Sequence, residues 1–479
     1  MTGILLGIDV GTSSVKVVST DEHGRRISDA SIRYPTATEG AAAEQDALAW
    51  WAAVAKAASI VVAGQRVAAV AVTSQAPTFV PVDENGAPTA PALTWVDRRA
   101  TEEAARIAEI VPNSRNGADP YFGTAKLPWL AKHRPLVLEK TQTVLSANGF
   151  IVRCLTGVSS LDDTTASLMQ GFDEEADAFD DRLLVAEPSL RYLPSVVAST
   201  TIVGTVTQEA AGISGIPAGT PVIAGGIDSV GSALEAGALA VGDPLVDMTG
   251  FSSVTILTVP KGTRVPGFIH SRHCIEGVDL LITAQVTAGA TVDWVNGLDS
   301  ANDLRDETAI LARTRPGHLT MVPSLGGERT PTWNIDARGI IDGITLATDG
   351  TDLILAAMEG NALALAQDID VLRRHGFAID RVVSTGGGAT SNAWLTIKAD
   401  VLGVPIARPA SGHGAAQGAA GLAGLAVGVH SSLDDLRQLG NEIQATYEPD
   451  LGRTGEYRLA AERYRLVAQL NDSRNGGAR

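Results

Sequence analysis

Apolar positions in this chain fall into short β-branched runs closed by small or acidic residues, and these alternate with longer stretches of helical period. Ile4 to Asp9 is such a run, Gly11 to Ser14 is a turn cluster and Val15 to Ser19 is a second run, which predicts a hairpin. After a polar turn at Asp21 to Gly24, Ile27 to Arg33 alternates as a third strand until Pro35 stops it, so the opening reads as an antiparallel meander. A helix is predicted over Asp46 to Val62, buried strands over Val67 to Thr73 and Phe79 to Val82, a turn at Asp83 to Gly86, a strand carrying Trp95, and a helix over Arg98 to Ile110. Further helices are predicted over Thr283 to Val295 and Asp352 to Arg374, with a loop rich in Gly and charge between Pro323 and Pro331. Arg381 to Ser384 reads as a strand running into Thr385-Gly386-Gly387-Gly388-Ala389. Helices follow over Asn392 to Leu402, Gly414 to Val427 and Tyr457 to Leu470, with a frayed end from Asn471 on. The alternation predicts an α/β layered fold.

Three segments share a pattern: GIDVGTSSVKVVST from Gly7, AGGIDSVGSA from Ala224 and VDMTGFSSVTILT from Val246. Asp9 and Asp247 each precede a Gly/Thr/Ser turn and a β-branched strand, which suggests an internal duplication. The boundary then falls near Gly242 to Pro244, dividing the chain into domains at 1–243 and 244–479.

At 479 residues and 45% hydrophobic positions, the chain is long enough for more than one core. Its 37 Lys and Arg against 54 Asp and Glu give a net charge of −17, which argues against nucleic acid or an anionic membrane as partner. Cys154 and Cys274 form no framework, a usage that fits the cytoplasm, and the N-terminal stretch has no basic region before its apolar residues.

Gly, Thr and Ser at Gly11 to Ser14 and at Thr249 to Ser253 can aim several N–H groups and hydroxyls at one point, as a phosphate chain requires. Neither a Walker loop nor GxGxxG is present. Asp9 ends a strand, Lys16 follows the turn, and Asp228 stands where the apolar run Val222 to Ile227 meets a helix-like stretch, the strand edge where α/β sheets bind ligands. Phosphoryl transfer needs a magnesium ion and a carboxylate that accepts the attacking hydroxyl's proton, and Asp9 and Asp228 could divide those duties. An Asp that merely caps a helix or satisfies a turn is the competing reading. His270, His273 and Cys274 form HxxHC without further ligands at metal spacing, so no metal site is expected there, and His413 is expected to be a loop residue.

The segments GIDVGTSSVK, TWVDRR, KLPWLAKH, AGGIDSVGSALEAGAL, MTGFSS, VPSLGGERTPTWNIDARGIIDGI and STGGGATSNAWLTIKADVLGVPI resemble, in order and over nearly the whole chain, the motifs of the FGGY carbohydrate kinases. The resemblance implies two ribonuclease-H-like domains of the actin/Hsp70/sugar-kinase superfold with a cleft between them, ATP and Mg²⁺ as cofactors, and a small sugar or polyol as substrate. Homodimers are frequent in that family. By the same resemblance Asp228 is the general base and Asp9 organises Mg²⁺. Gly11, Thr12, Ser13, Ser14 and Lys16 face the γ-phosphate, Thr249 and Gly250 hold phosphates from the second domain, and Gly327, Gly387, Gly388 and Asn392 line the nucleotide pocket. Gln75, Ala76, Pro77, Trp95 and Asp97 align with substrate-contacting segments, and Glu44-Gln45-Asp46 is common in the pentulose kinases, which makes a xylulokinase-like activity the first expectation. Ribulose, erythritol, glycerol and gluconate are the alternative acceptors, and a non-kinase ATPase of the same superfold is the alternative class. Where xylulokinases of the best-known type carry Gln-Met-His-Gly, this chain has Gln75-Ala76-Pro77-Thr78, so an imidazole donor and acceptor are missing.

Overall fold

Two seven-stranded sheets repeat one strand order. A computed structural model describes residues 3–299, 303–410, 414–437 and 442–475, and His413 lies outside them. In the first sheet the meander Ile4–Val10, Ser14–Thr20, Arg26–Arg33 is antiparallel; Val67–Ser74 then joins Ile4–Val10 in parallel, Pro221–Ile223 joins Val67–Ser74 in parallel, and Ile202–Thr205 closes the edge antiparallel. The second sheet does the same. Leu245–Thr249, Ser253–Pro260 and Val278–Gln285 form its meander, Val382–Thr385 and Ile406–Pro409 add in parallel, and Ile443–Tyr447 closes antiparallel. This shared order is the structural form of the duplication, with Asp9 opposite Lys16 in one hairpin and Asp247 opposite Thr255 in the other. The second Gly-Ile-Asp is different: Gly226–Ile227 is a short strand that passes directly into the helix Asp228–Glu235.

The period-two alternation of Ile4–Val10 serves two cores. Leu6, Ile8 and Val10 pack with the helix Ala47–Val62, whose Trp50 is fully buried and whose N-terminus is capped by the Asp46 carboxylate. Leu5, on the opposite face, joins Val230, Val246, Ile282 and Leu422 in a core common to both halves of the chain. A smaller five-stranded sheet, which includes Ala42–Gln45, Phe79–Val82 and Ala92–Leu93, flanks the first half and brings Trp95 to the cleft.

Three predicted elements differ. Thr283 to Val295 is not one helix: Val278–Gln285 is a central strand of the second sheet and the helix is Gly289–Asn296, because apolar residues buried on both faces mimic helical period. Trp95 follows the two-residue strand Ala92–Leu93 in a turn, and the helix after it starts at Thr101. The last helix, Leu451–Asn475, is longer at both ends than predicted. Among the described residues no helix is long and apolar enough to cross a membrane.

The halves meet through bare backbone. Helix Ala415–Ala426 lies against the strand Ile4–Val10 and the helix Asp228–Glu235, and a Cβ on Gly7 would overlap the carbonyl oxygen of Ala416, while one on Gly418 would overlap that of Gly231. Gly418→Ala should therefore destabilise the protein by about 1–3 kcal/mol or more. The exposed helix residue Gly212, whose added Cβ would touch nothing within 4 Å, is the control: Gly212→Ala should stabilise by about 0.5–1 kcal/mol. Denaturant unfolding of both variants measures the contrast.

Candidate active site

Asp9 and Asp228 are brought together by one strand between them. In Val67–Ser74, Thr73 pairs with Asp9 on one side and with Gly226 on the other, so both carboxylates emerge at the carboxyl edge of the first sheet. Thr73 Oγ1 donates to Asp9 at 3.2 Å. Burial, reinforced by Asp228, pushes the Asp9 carboxyl up to about 7 against the opposing pull of Lys16 and Thr73. Burial likewise pushes Asp228 up to about 6, while the Ser229 N–H and hydroxyl and the more distant Arg329 oppose it. The two acids share a cavity of about 300 Å³ with Thr12, Lys16, Ala76, Trp95, Thr249 and Gly250.

One wall is aromatic. The Trp95 indole N–H donates to Thr12 Oγ1 at 3.1 Å, and its ring meets Tyr121 edge-on at 6.1 Å. Tyr121, in the turn Pro120–Phe122 capped by Asp119, and Arg329 both line the cavity and were absent from the sequence-predicted site. Tyr121 stands in no motif that flags it. Arg329 sits inside the quoted segment VPSLGGERTP and could have been marked there as a cation among glycines.

Three residues expected on the acceptor side, Gln75, Pro77 and Asp97, do not line this cavity. Gln75 is buried behind the cavity and donates to Gln45 Oε1 at 2.7 Å, and Gln45 in turn donates to the Thr12 carbonyl at 2.7 Å, so Gln75 supports the hairpin turn. Asp97 is buried too, accepting from the Ala43 N–H at 2.9 Å and from Arg99, which also bridges to Glu44. Pro77 packs behind Ala76, against Gly123. Of the predicted set, only Ala76, Trp95 and Asp228 reach the cavity from this side.

On the phosphate side the first turn closes through the Gly11 N–H to the Ser14 carbonyl at 3.0 Å, leaving Thr12 at the cavity and Ser13 exposed beside it. In the second hairpin, burial would raise Asp247, but the Lys398 ammonium and hydrogen bonds from Lys398, Ser384 and Thr249 hold it below the usual carboxylate range. The Thr249 hydroxyl is committed inward, donating to Asp247 at 2.9 Å and accepting from Lys398 at 2.7 Å, so the chain at Thr249-Gly250 offers the cleft its backbone. Gly250 also lines a second cavity of about 510 Å³ with Glu307, Gly387, Gly388, Ser391 and Trp394, so the two cavities meet at this turn.

Two residues expected on the nucleotide side, Asn392 and Gly327, do not line the second cavity. Asn392 lies beside that second cavity, and its amide donates to Glu307 at 3.1 Å while its oxygen accepts from Arg408 and Tyr447, which makes it a support for Glu307. Gly327 has φ +84 against the backbone of Ile335 and lines a different cavity with Gln285, Asp368 and Tyr464. His270 Nε2 accepts from the Val265 N–H at 2.9 Å and His273 Nε2 faces the Ala238 carbonyl at 2.9 Å, so both buried rings are engaged by backbone.

Lys398→Met would leave Asp247 charged, buried and unpaired, a loss of about 3–5 kcal/mol. Asp247→Asn with Lys398→Met should recover part of that stability. Denaturant unfolding of the single and double variants tests the pair, and two single losses that simply add would refute the coupling.

Comparison with known proteins agrees with this geometry. The model for the FGGY family of carbohydrate kinases, N-terminal domain, matches residues 4–234, and that for the C-terminal domain of the same family matches residues 248–427. The chain is 28% identical to the xylulose kinase of Escherichia coli (strain K12), over 97% of this chain and 98% of that one. It is 30% identical to the glycerol kinase of Acidovorax sp. (strain JS42), again over 97% and 98%. The crystal structure of xylulose kinase from Rhodospirillum rubrum superposes with a TM-score of 0.86 at 25% identity, covering 98% of each chain. With its two repeated sheets, its paired turns and both family models matched in order, the chain belongs to the FGGY family of carbohydrate kinases, ATP-dependent enzymes of the two-domain actin/Hsp70-like superfold.

Proposed function

We propose that this kinase transfers the γ-phosphoryl group of ATP to the terminal hydroxyl of a pentulose, as a xylulokinase does, with residues 1–243 holding the sugar and 244–479 the nucleotide. The observation that carries the reading is that Asp9 and Asp228 face one cavity bounded by both Gly/Thr/Ser turns and by an aromatic wall. Asp228 accepts the proton of the attacking hydroxyl as the new phosphate ester forms and ADP leaves. The Ser229 N–H and hydroxyl hold its carboxylate in place. The turn at Gly11 to Ser14 and Lys16 receive the γ-phosphate, Thr249-Gly250 the chain behind it, and Gly387 and Gly388 let the nucleotide approach the backbone.

A carboxylate whose charge is disfavoured by burial and by a neighbouring acid suits a hard divalent cation, and Asp9 is such a group. Mg²⁺, when bound by Asp9 with ATP, would neutralise phosphate charge. The cleft excludes bulk water as the halves close, which favours transfer to the sugar over hydrolysis. The two cysteine thiols, both pushed up by burial, are inert and fit a reducing cytoplasm. Glycerol or gluconate is the second reading for the acceptor. Pro77 favours it, since it stands where the best-known xylulokinases carry the imidazole and packs against Gly123.

ADP release from Mg-ATP, measured against ketopentoses, aldoses, glycerol, erythritol and gluconate, identifies the acceptor, and D-xylulose should stimulate most. Asp228→Asn should lower the stimulated kcat by about 10²- to 10⁴-fold. Because the base acts ionised and sits near pH 6 in the free enzyme, kcat/KM should be level above about pH 7 and fall about tenfold per unit below 6. An Asp228→Asn enzyme that keeps full stimulated turnover contradicts the assignment.

A further inference from the structure

The cavity that holds Asp228 is completed by a side chain from the other half of the molecule. Arg329 stands on the loop between the strands Thr320–Val322 and Ile340–Asp342. Its guanidinium carbon lies 4.2 Å from the Trp95 ring centroid and 5.4 Å from that of Tyr121, both rings belonging to the first half. The loop is fixed where it crosses. Thr330 Oγ1 accepts from the Ala284 N–H at 2.7 Å, and Trp333 donates to the Gly267 carbonyl at 2.8 Å while its ring packs on Phe122 at 5.2 Å.

Stacking occupies the face of a guanidinium and leaves the N–H edge for a partner. Arg99, Arg115 and Arg272 each give that edge to carboxylates. The Arg329 guanidinium makes no hydrogen bond or ion pair among the described residues, although it and Asp228 line the same cavity. A charged fork that forms no ion pair with the carboxylate across the cavity leaves room between them for an oxygen-rich molecule. Other donors on that wall are few, since the Trp95 N–H is already given to Thr12 and Ala76 offers a methyl group.

We propose that Arg329 is an acceptor-binding residue delivered across the cleft: its fork donates to two adjacent oxygens of the sugar at the end remote from the hydroxyl that Asp228 deprotonates. In a pentulose these are the C1 hydroxyl and the C2 carbonyl. The acceptor site is then whole only when both halves are together, so sugar binding and closure are one event. The proposal rests on the kinase reading above.

The test is steady-state kinetics of wild type, Arg329→Gln and Arg329→Lys with D-xylulose and with 1-deoxy-D-xylulose, which lacks the C1 hydroxyl. Loss of hydrogen bonds from a charged donor should raise the D-xylulose KM of Arg329→Gln by about 10- to 100-fold. The KM for ATP should stay within about twofold, and Arg329→Lys should fall between. The penalty should shrink on 1-deoxy-D-xylulose, since one of the two oxygens is gone. Arg329→Lys keeps the stacked charge and decides the matter if Arg329→Gln does not fold. An acceptor KM unchanged in both variants, or a loss confined to kcat or to the KM for ATP, overturns the proposal. If wild type turns over glycerol or gluconate and not D-xylulose, the pentulose assignment fails, and the same KM ratio on that acceptor still decides the role of Arg329. A wild type that hydrolyses ATP with no response to any acceptor overturns both.

Discussion

Two half-buried carboxylates without an ion pair among the described residues are the constraint around which this molecule is built. Burial holds both Asp9 and Asp228 well above the ordinary carboxylate range, and the Asp228 charge across the cavity adds to the cost at Asp9. Such a pair is unfavourable for folding and useful for phosphoryl transfer, where a divalent cation relieves one acid and a hydroxyl proton is received by the other. The fold absorbs the cost with close packing. Helix Ala415–Ala426 meets the first half backbone to backbone at Gly7, Gly231 and Gly418, which holds the strand end bearing Asp9 and the helix start bearing Asp228 in fixed relation.

The duplicated hairpins show what separates a reactive acid from a structural one. Asp9 and Asp247 occupy corresponding strands in sheets of the same order. Asp247 is met by Lys398 and three hydroxyls, which hold it below the usual carboxylate range, with its neighbour Thr249 locked inward. Asp9 has only the Thr73 hydroxyl and a Lys16 too distant to bridge. One copy is thus an internally paired turn, while the other keeps a carboxylate facing the cavity.

Much of this was legible before any coordinates, for physical reasons. Strand, small-residue turn and strand is a local signal, so both hairpins, the meander and the strand-to-helix step at Asp228 could be read from neighbouring residues. What failed depended on which way a side chain points. Gln75 and Asp97 lie in the right segments yet are buried, and they and the exposed Asn392 are each engaged by a partner distant in sequence: Gln45, the Ala43 N–H and Glu307. Gly327 stands in a motif that turns toward another cavity. Tyr121 and Arg329 meet only because the two halves face each other, and no local pattern in either segment announces it. The end of the strand Val278–Gln285, from Thr283 on, reads as the start of a helix because a strand covered on both faces loses its alternation.

The most direct measurement is a carboxyl-carbon NMR titration of aspartate-labelled enzyme, with Asp9→Asn and Asp228→Asn variants to assign the pair. The account predicts two coupled resonances titrating near pH 6 to 7, with the pair moved to lower pH on addition of Mg-ATP. Two carboxyls that titrate independently in the ordinary range near pH 4, unmoved by Mg-ATP, would contradict it.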